Sequence, residues 1–311
     1  MELSFEEFIA GKTPLEIWQS VLQVPAAYSY KKSLSLIKKY SFERFDAELY
    51  LQNNGPDTVQ RLLKVLPKKL SGGMPAVAVP FYFPEAMIGF ELDTLEPLPK
   101  YAGITMMADL AERGFICASA DASHLTYLKS NHDRGEYLRW GEFGKAINQD
   151  YPLWCGMGKL TADTRLVIDA LCADDRVDSN NIAIAGHSLG GKMAFYAGCV
   201  DERVRAILAS DFGIGWEQTN WRDTWYWGDK VDKLIAVGVD HSQLLNSAGG
   251  KPFMLLAGQY DNAESGEIMQ QAEVYRQYPE HLQLINHATG HRPPQDVLAQ
   301  GYDFLEKYLK H

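Results

Sequence analysis

The chain has 311 residues, of which 46% are hydrophobic and 23% charged, with a formal net charge of −10. This is the composition of a soluble globular protein long enough for one large domain or two small ones. Acidic and basic residues are interspersed without a basic run or a membrane-length apolar stretch, which argues against nucleic acid and membranes as partners.

The N-terminus and the cysteines predict a cytoplasmic protein. The first twelve residues open acidic and lack the pattern of a secretory signal. Four cysteines, with no metal-type spacing, are expected to be buried free thiols in a reducing compartment; they are Cys117, Cys155, Cys172 and Cys199. The sequence therefore predicts no metal site.

Residues 1–44 are predicted to form a helical extension ahead of the main domain. Capping boxes occur at residues 4–7 (SFEE) and 13–16 (TPLE), the second with proline at the first helical position. The extension could pack on the domain, help to close a pocket or form a subunit contact. Of these roles, packing on the domain is favoured. The sequence does not decide whether the protein forms a homo-oligomer.

The rest of the chain, residues 45–311, is predicted to be one α/β domain. A hairpin over 45–52 and 58–66 is followed by apolar strands that alternate with helices, at 75–79, 115–120, 182–185, 204–209, 252–257 and 282–285. This alternation predicts a mostly parallel sheet of about eight strands with helices on both faces. Two long segments, 122–158 and 212–250, are expected to be insertions that form a partial cap.

The most informative stretch is residues 181–198, NIAIAGHSLGGKMAFYAG. A buried strand, a Gly-x-Ser-x-Gly turn and a small-residue helix follow one another, as a nucleophile elbow requires. The turn forces Ser188 into a sparsely allowed backbone conformation, and only small residues fit at positions 186 and 190. A plain glycine turn is the alternative interpretation.

A serine nucleophile needs a histidine base and a carboxylate that orients the histidine. On this fold the expected order is Ser, then Asp or Glu, then His, each after the carboxyl end of a strand. Ser188, Asp261 and His291 meet both conditions. Asp211 directly follows the preceding strand and remains the alternative acid.

Two other histidines compete with His291. His287 lies four residues earlier, but Gly290 is expected to let the loop approach the serine closely, which favours His291. His187 neighbours the serine, and it is expected to pack or to form a hydrogen bond because adjacent side chains at an elbow point apart.

The oxyanion hole is predicted to combine the Leu189 N–H with one from the loop after strand 75–79. Pro80 has no N–H, so the second donor is Phe81 or Tyr82. Trp216, Trp221 and Trp225 are predicted either to pack as apolar filler or to form a wall of the pocket. His124 and His132 either line the pocket or are solvated loop histidines. No dinucleotide fingerprint, P-loop or HExxH motif is present, so no cofactor is predicted.

From about residue 45 to 310 the chain resembles the α/β-hydrolase superfamily, specifically its dienelactone-hydrolase and acetyl-xylan-esterase-like branch. The resemblance rests on residues 177–191 (VDSNNIAIAGHSLGG), 258–261 (GQYD) and 290–294 (GHRPP). It implies a Ser188–Asp261–His291 triad and ester hydrolysis through an acyl-enzyme, and by position Tyr82 is similar to the oxyanion residue of the acetyl-esterase members.

Two departures from that family pattern stand out. Many relatives carry His-Gly after the third strand, where this chain has Pro80-Phe81. Thiol-using dienelactone hydrolases have cysteine at the nucleophile position, where this chain has Ser188, which argues against their substrate.

Three functions follow from these observations. The first is a serine esterase for small acyl groups or carbohydrate acetates, and the second is a serine peptidase or amidase on the same scaffold. The third is a binding protein that has lost the chemistry, which the complete set of serine, acid and histidine disfavours.

Overall fold

A computed structural model describes residues 3–128, 137–261 and 264–310. The strands of the described residues are β1 Leu34–Ser41, β2 Phe45–Gly55, β3 Thr58–Pro67, β4 Met74–Ala78, β5 Ile116–Ala120, β6 Val177–His187, β7 Val204–Ser210, β8 Phe253–Ala257 and β9 Leu282–Asn286. The α-helices are α1 Phe5–Ile9, α2 Pro14–Leu22, α3 Pro84–Ile88, α4 Met106–Glu112, α5 Ser123–Thr126, α6 Tyr137–Asp150, α7 Gly156–Cys172, α8 Leu189–Val200, α9 Lys230–Ala236, α10 His241–Ser247, α11 Glu264–Gln270 and α12 Gln295–Leu309.

All nine strands form one sheet in the order β1-β2-β3-β5-β4-β6-β7-β8-β9. The pairs from β1 to β5 along this order are antiparallel. The remaining pairs are parallel, and they are β5-β4, β4-β6, β6-β7, β7-β8 and β8-β9. The predicted mostly parallel α/β sheet is confirmed, with one strand more than expected.

The additional strand is β1, in a segment that was predicted to be helical. The capping boxes of the two N-terminal helices are present, but α2 ends at Leu22 and residues 34–41 pair with β2. Pairing at the sheet edge satisfies backbone groups without burying an apolar helical stripe. Seven of the eight residues of β1 are exposed, which is why its sequence carries no strand-like alternation.

The central strands are apolar throughout because helices cover both faces of the sheet. In β6, Ile182 and Ile184 face the core beneath α7 and α8. Ala183 and Ala185 face the second core, beneath α4 and α12. Alternate residues of one strand thus fill two cores, as the buried-strand pattern predicts.

The two long segments contain helices rather than irregular loops. Residues 122–158 include α5, all of α6 and the first turn of α7, and residues 212–250 include α9 and α10. Residues 122–158, which the sequence predicts to be irregular, are thus helical in part, as are residues 212–250. Their helices are short or interrupted by glycine, which weakens the periodic signal.

None of the helices in the described residues is both long enough and apolar enough to cross a bilayer. All four cysteines are free thiols. Three are buried and Cys172 is partly exposed.

Candidate active site

Ser188 lies at the tight turn between β6 and α8. Its backbone has φ 58° and ψ −117°, a conformation that is costly for a residue with a side chain. A Cβ atom on Gly186 would lie 2.1 Å from the Gly190 carbonyl oxygen, so the turn closes only with glycine at this position. The strained elbow holds the serine beyond the carboxyl end of the sheet.

His291 connects Ser188 to a buried carboxylate. Its Nε2 lies 2.9 Å from Ser188 Oγ, and its Nδ1 is hydrogen-bonded to Asp211 Oδ2. Because a carboxylate only accepts, Nδ1 carries the ring proton, which leaves Nε2 free to accept from the serine hydroxyl. The Asp211 side chain is fully buried, whereas that of His291 is 32% exposed.

The carboxylate that contacts His291 is thus Asp211, the alternative acid. The structure does not bring Asp261, the acid predicted first, to the histidine. The Asp261 carboxylate instead accepts from the N–H groups of Phe212, Gly213 and Ile214 at 3.0, 3.2 and 2.9 Å. Burial raises the pKa of Asp261, and these backbone donors act in the opposite direction. Asp261 therefore holds the backbone that immediately follows Asp211.

Two further hydrogen bonds fix the segment that begins at Asp211. Asp211 has a positive φ of 40°, and its Oδ1 accepts from the Tyr260 N–H at 2.7 Å. Lys192, buried on α8, donates from Nζ to the Phe212 carbonyl at 2.9 Å. Burial lowers the pKa of Lys192 to about 7. The loops after β7 and β8 thus hold each other, which orients Asp211 toward the histidine.

The histidine loop depends on two glycines for different reasons. Gly290 has φ 87°, and a Cβ there would meet no atom within 4 Å, so its backbone conformation rather than close approach requires glycine. The close approach occurs at Gly258, where a Cβ would lie 2.6 Å from the Gly290 carbonyl oxygen and 2.8 Å from Asp211 Cγ. His287 is directed elsewhere, with Nδ1 2.7 Å from Thr289 Oγ1.

His187 is buried directly beside this set of residues. Its ring centroid is 4.7 Å from that of His291, and its Nδ1 is 3.1 Å from Ser210 Oγ. Burial, with a smaller effect of the neighbouring cationic groups, lowers the pKa of His187 to about 3. His187 therefore stays neutral near pH 7, as the packing role predicted for it requires.

Ser188 opens into a pocket of about 210 Å³. Its wall is largely aromatic, with Phe81, Tyr82, Phe83, Tyr101 and Trp140. Ile104, Lys100, Arg292 and His187 complete the lining around Ser188 and His291. The pocket can hold a small organic group next to the serine oxygen.

Similar solved structures identify the fold that carries this site. A glucuronoyl esterase from Teredinibacter turnerae superposes with a TM-score of 0.66 at 18% identity, covering 98% of this chain and 85% of that one. The chain has the α/β-hydrolase fold. A glucuronoyl esterase from Solibacter usitatus (TM-score 0.64, 14% identity, 96% and 92% covered) and an acetyl xylan esterase from Paenibacillus sp. (0.58, 16%, 99% and 95%) are also similar. By sequence alone, neither a family model nor a curated protein matches the chain.

In an α/β-hydrolase the loop between the strand that neighbours the elbow strand, here β4, and the helix that follows it supplies part of the oxyanion hole. Here that loop is residues 80–82, and it lies directly against the elbow. A Cβ on Gly190 would lie 2.1 Å from the Pro80 carbonyl oxygen and 3.3 Å from Phe81 Cδ2. The Tyr82 carbonyl accepts from the Ala122 N–H at 3.0 Å, which ties the loop to α5. The loop thus lies against the elbow at Gly190. The assignment of the Phe81, Tyr82 and Leu189 N–H groups as oxyanion donors stays a prediction.

This contact predicts the effect of Gly190→Ala. The added methyl group must displace the loop at residues 80–82, which costs about 1–3 kcal/mol of folding free energy. If that loop supplies an oxyanion donor, kcat on an ester substrate falls by about 100-fold or more. Gly141→Ala is the matched control, because a Cβ there meets nothing within 4 Å. Equal activity of the two variants would contradict this role of the loop.

The tryptophans of segment 212–250 pack in the core instead of lining the pocket. Trp18 of α2 stacks on Trp216 with ring centroids 5.9 Å apart and meets Trp227 edge-on at the same distance. Trp216, Trp221 and Trp227 are buried, and Trp225 is partly buried. The N-terminal helix α2 therefore covers Trp216 and Trp227, and none of the four tryptophans belongs to the lining of the pocket at Ser188.

The segment 122–158 does contribute to the pocket, but through a residue that was not predicted as a site residue. Trp140 of α6 lines the cavity and stacks on His124, with ring centroids 3.6 Å apart. His124 is fully buried behind it, so it supports the wall rather than forming it. His132 lies outside the described residues. Lys100, Tyr101 and Arg292 were also missed, and only the position of Arg292 next to His291 could have indicated it.

Proposed function

We propose that the protein is a serine hydrolase that cleaves carboxylic esters through an acyl-enzyme. Ser188 is the nucleophile, His291 the general base and Asp211 the orienting acid. The observation that carries the proposal is the pair of hydrogen bonds on the two sides of the His291 ring. Without a catalytic role this arrangement would only cost folding free energy, because it places a carboxylate in the interior and strains the backbone at the serine.

The mechanism follows from the hydrogen-bond directions. His291 Nε2 takes the proton as Ser188 Oγ attacks the ester carbonyl carbon. Asp211 stabilises the imidazolium that forms, because its buried charge lies at Nδ1. The imidazolium then protonates the leaving alcohol, and a water molecule activated by the same nitrogen releases the acid from Ser188.

Negative charge on the carbonyl oxygen is expected to be stabilised by backbone donors. The Leu189 N–H is at the N-terminus of α8, where the helix dipole favours an anion. The second donor is the N–H of Tyr82 or Phe81, on the loop that lies against Gly190. Typical donors of this kind contribute about 3 kcal/mol to lowering the barrier.

The substrate class proposed is a small-acyl or carbohydrate ester. The structural neighbours are named as acetyl xylan and glucuronoyl esterases. An aromatic wall such as Tyr82, Tyr101 and Trp140 suits the apolar face of a sugar ring. The small volume next to Ser188 favours a short acyl group over a long chain.

The test combines active-site labelling with a substrate panel. A fluorophosphonate probe is expected to label the protein at one site per chain, and peptide mapping should locate the label at Ser188. The panel contains 4-nitrophenyl esters of increasing acyl length, acetylated sugars, a methyl uronate and a 4-nitroanilide. Turnover of the short esters without turnover of the anilide supports an esterase, whereas the reverse supports an amidase. Absence of both label and turnover would refute the proposal.

A further inference from the structure

The rim of the pocket carries two cations in a protein whose net charge is −10. Lys100 and Arg292 line the cavity, and no carboxylate belongs to its lining. Both residues are exposed at the pocket mouth. The positive charge is thus local to the opening rather than a property of the whole surface.

Within the described residues, neither cation is neutralised by an ion pair. Other arginines of the surface pair with carboxylates, as Arg44 does with Glu112 and Arg222 with Glu217. Arg292 instead donates to the Lys100 carbonyl at 2.5 Å and the Ala102 carbonyl at 3.4 Å. Its charge therefore remains available to a ligand.

These backbone contacts also fix the two cations relative to each other. Arg292 follows His291 directly, and its guanidinium is bonded to the short turn Pro99–Tyr101 that carries Lys100. The cationic rim, defined as Lys100 and Arg292, is in this way positioned by the same loop that positions the base. A substrate group that reaches the rim while its ester carbonyl lies at Ser188 would meet both charges.

We infer that the cationic rim selects esters that carry a carboxylate elsewhere in the molecule, either on the acyl group or on the alcohol. This inference rests on the proposed esterase function and names its substrate class. A carboxylate near an arginine and a lysine forms charge-assisted hydrogen bonds that a neutral substrate lacks. The rim also raises the local concentration of an anion approaching the site, an effect that salt weakens.

Two matched substrate pairs test the inference. In the first, 4-acetoxybenzoate is compared with 4-acetoxybenzamide, so that the charge lies on the alcohol. In the second, the mono-4-nitrophenyl ester of adipic acid is compared with 4-nitrophenyl adipamate, so that the charge lies on the acyl group. In at least one substrate pair, kcat/KM of the anionic member is expected to be about fivefold to tenfold higher at low salt. This is the gain expected when Lys100 and Arg292 each form a solvent-exposed ion pair with the substrate carboxylate. The advantage should shrink as the salt concentration rises to about 0.5 M.

Variants assign the preference to the rim. Lys100→Glu is expected to reduce the anionic-to-neutral ratio of kcat/KM by about tenfold or more, and Arg292→Gln should reduce it less. This ratio is insensitive to how much of the protein is folded. Lys69→Glu, at an exposed position outside the pocket, makes the same change in net charge and should leave the ratio unchanged.

The outcomes separate the two proposals. Equal kcat/KM within both pairs at low salt, or a ratio that Lys100→Glu does not alter, would overturn the inference while leaving the esterase intact. A protein that hydrolyses no member of either pair and takes up no phosphonate probe would instead overturn the proposed function.

Discussion

Replacement of Ser188 by alanine is expected to lower kcat on any ester substrate by about 10⁴- to 10⁶-fold, the range found when a triad nucleophile is removed. The variant has no oxygen to attack the carbonyl, and the hydrogen bond from position 188 to His291 Nε2 is lost. Residual rate then comes only from substrate binding and from the oxyanion donors. The measurement is steady-state turnover of the best short ester in the panel, together with fluorophosphonate labelling.

The fold should survive this change. Alanine removes one oxygen atom and leaves the backbone strain at position 188 unchanged. The thermal midpoint of unfolding should therefore stay within a few degrees of the wild type. His291→Ala provides a second test, since it should abolish turnover to a similar extent. Turnover that persists undiminished in the Ser188→Ala protein would point to a contaminating enzyme and would remove the case for this nucleophile.

Asp211→Asn is expected to reduce kcat by about 10⁴-fold near pH 7. Asparagine has nearly the same shape, but its amide can donate to His291 Nδ1. The ring then carries its proton on Nε2, where it cannot accept from Ser188. The loss therefore appears in kcat measured on the short ester, with little change in the far-ultraviolet circular dichroism.

Asp261→Asn is the matched control, because it makes the same chemical change at the other candidate acid. It weakens the hydrogen bonds to the amides of residues 212–214, so about 2–4 kcal/mol of folding free energy is expected to be lost. Its effect on kcat should be far smaller than that of Asp211→Asn, because Asp261 does not touch the histidine. If the order of the two kcat losses were reversed, the assignment of Asp211 as the acid would be wrong.

The choice between these two aspartates shows where sequence patterns stop being informative. Both residues follow the carboxyl end of a parallel strand, so strand order makes either one a candidate. The decision is made by the conformation of a few residues, including the positive φ of Asp211 and the contact of its Oδ1 with Tyr260. Such torsions depend on how two loops pack against each other, and no residue pattern encodes that packing locally.

The tryptophan-rich segment shows the same limit on a larger scale. Its composition fitted both a pocket wall and a core, and the sequence could not separate them. The separation was made by Trp18, which lies some two hundred residues earlier in the chain and packs against both Trp216 and Trp227. Contacts between segments so distant in the chain leave no periodicity in either one. Likewise, β1 is a strand only because β2 offers it a free edge.

The sequence by itself determined the alternation of buried strands and helices, the elbow at Ser188 and the placement of His291 after the last strand. These features are local: apolar runs reflect burial on both faces, and glycines mark turns that admit no side chain. Only the tertiary structure decided which carboxylate meets the histidine, which aromatic residues line the pocket and that Lys100 and Arg292 share its rim. Those facts depend on distances between loops, which are fixed when the sheet and both helical layers pack together.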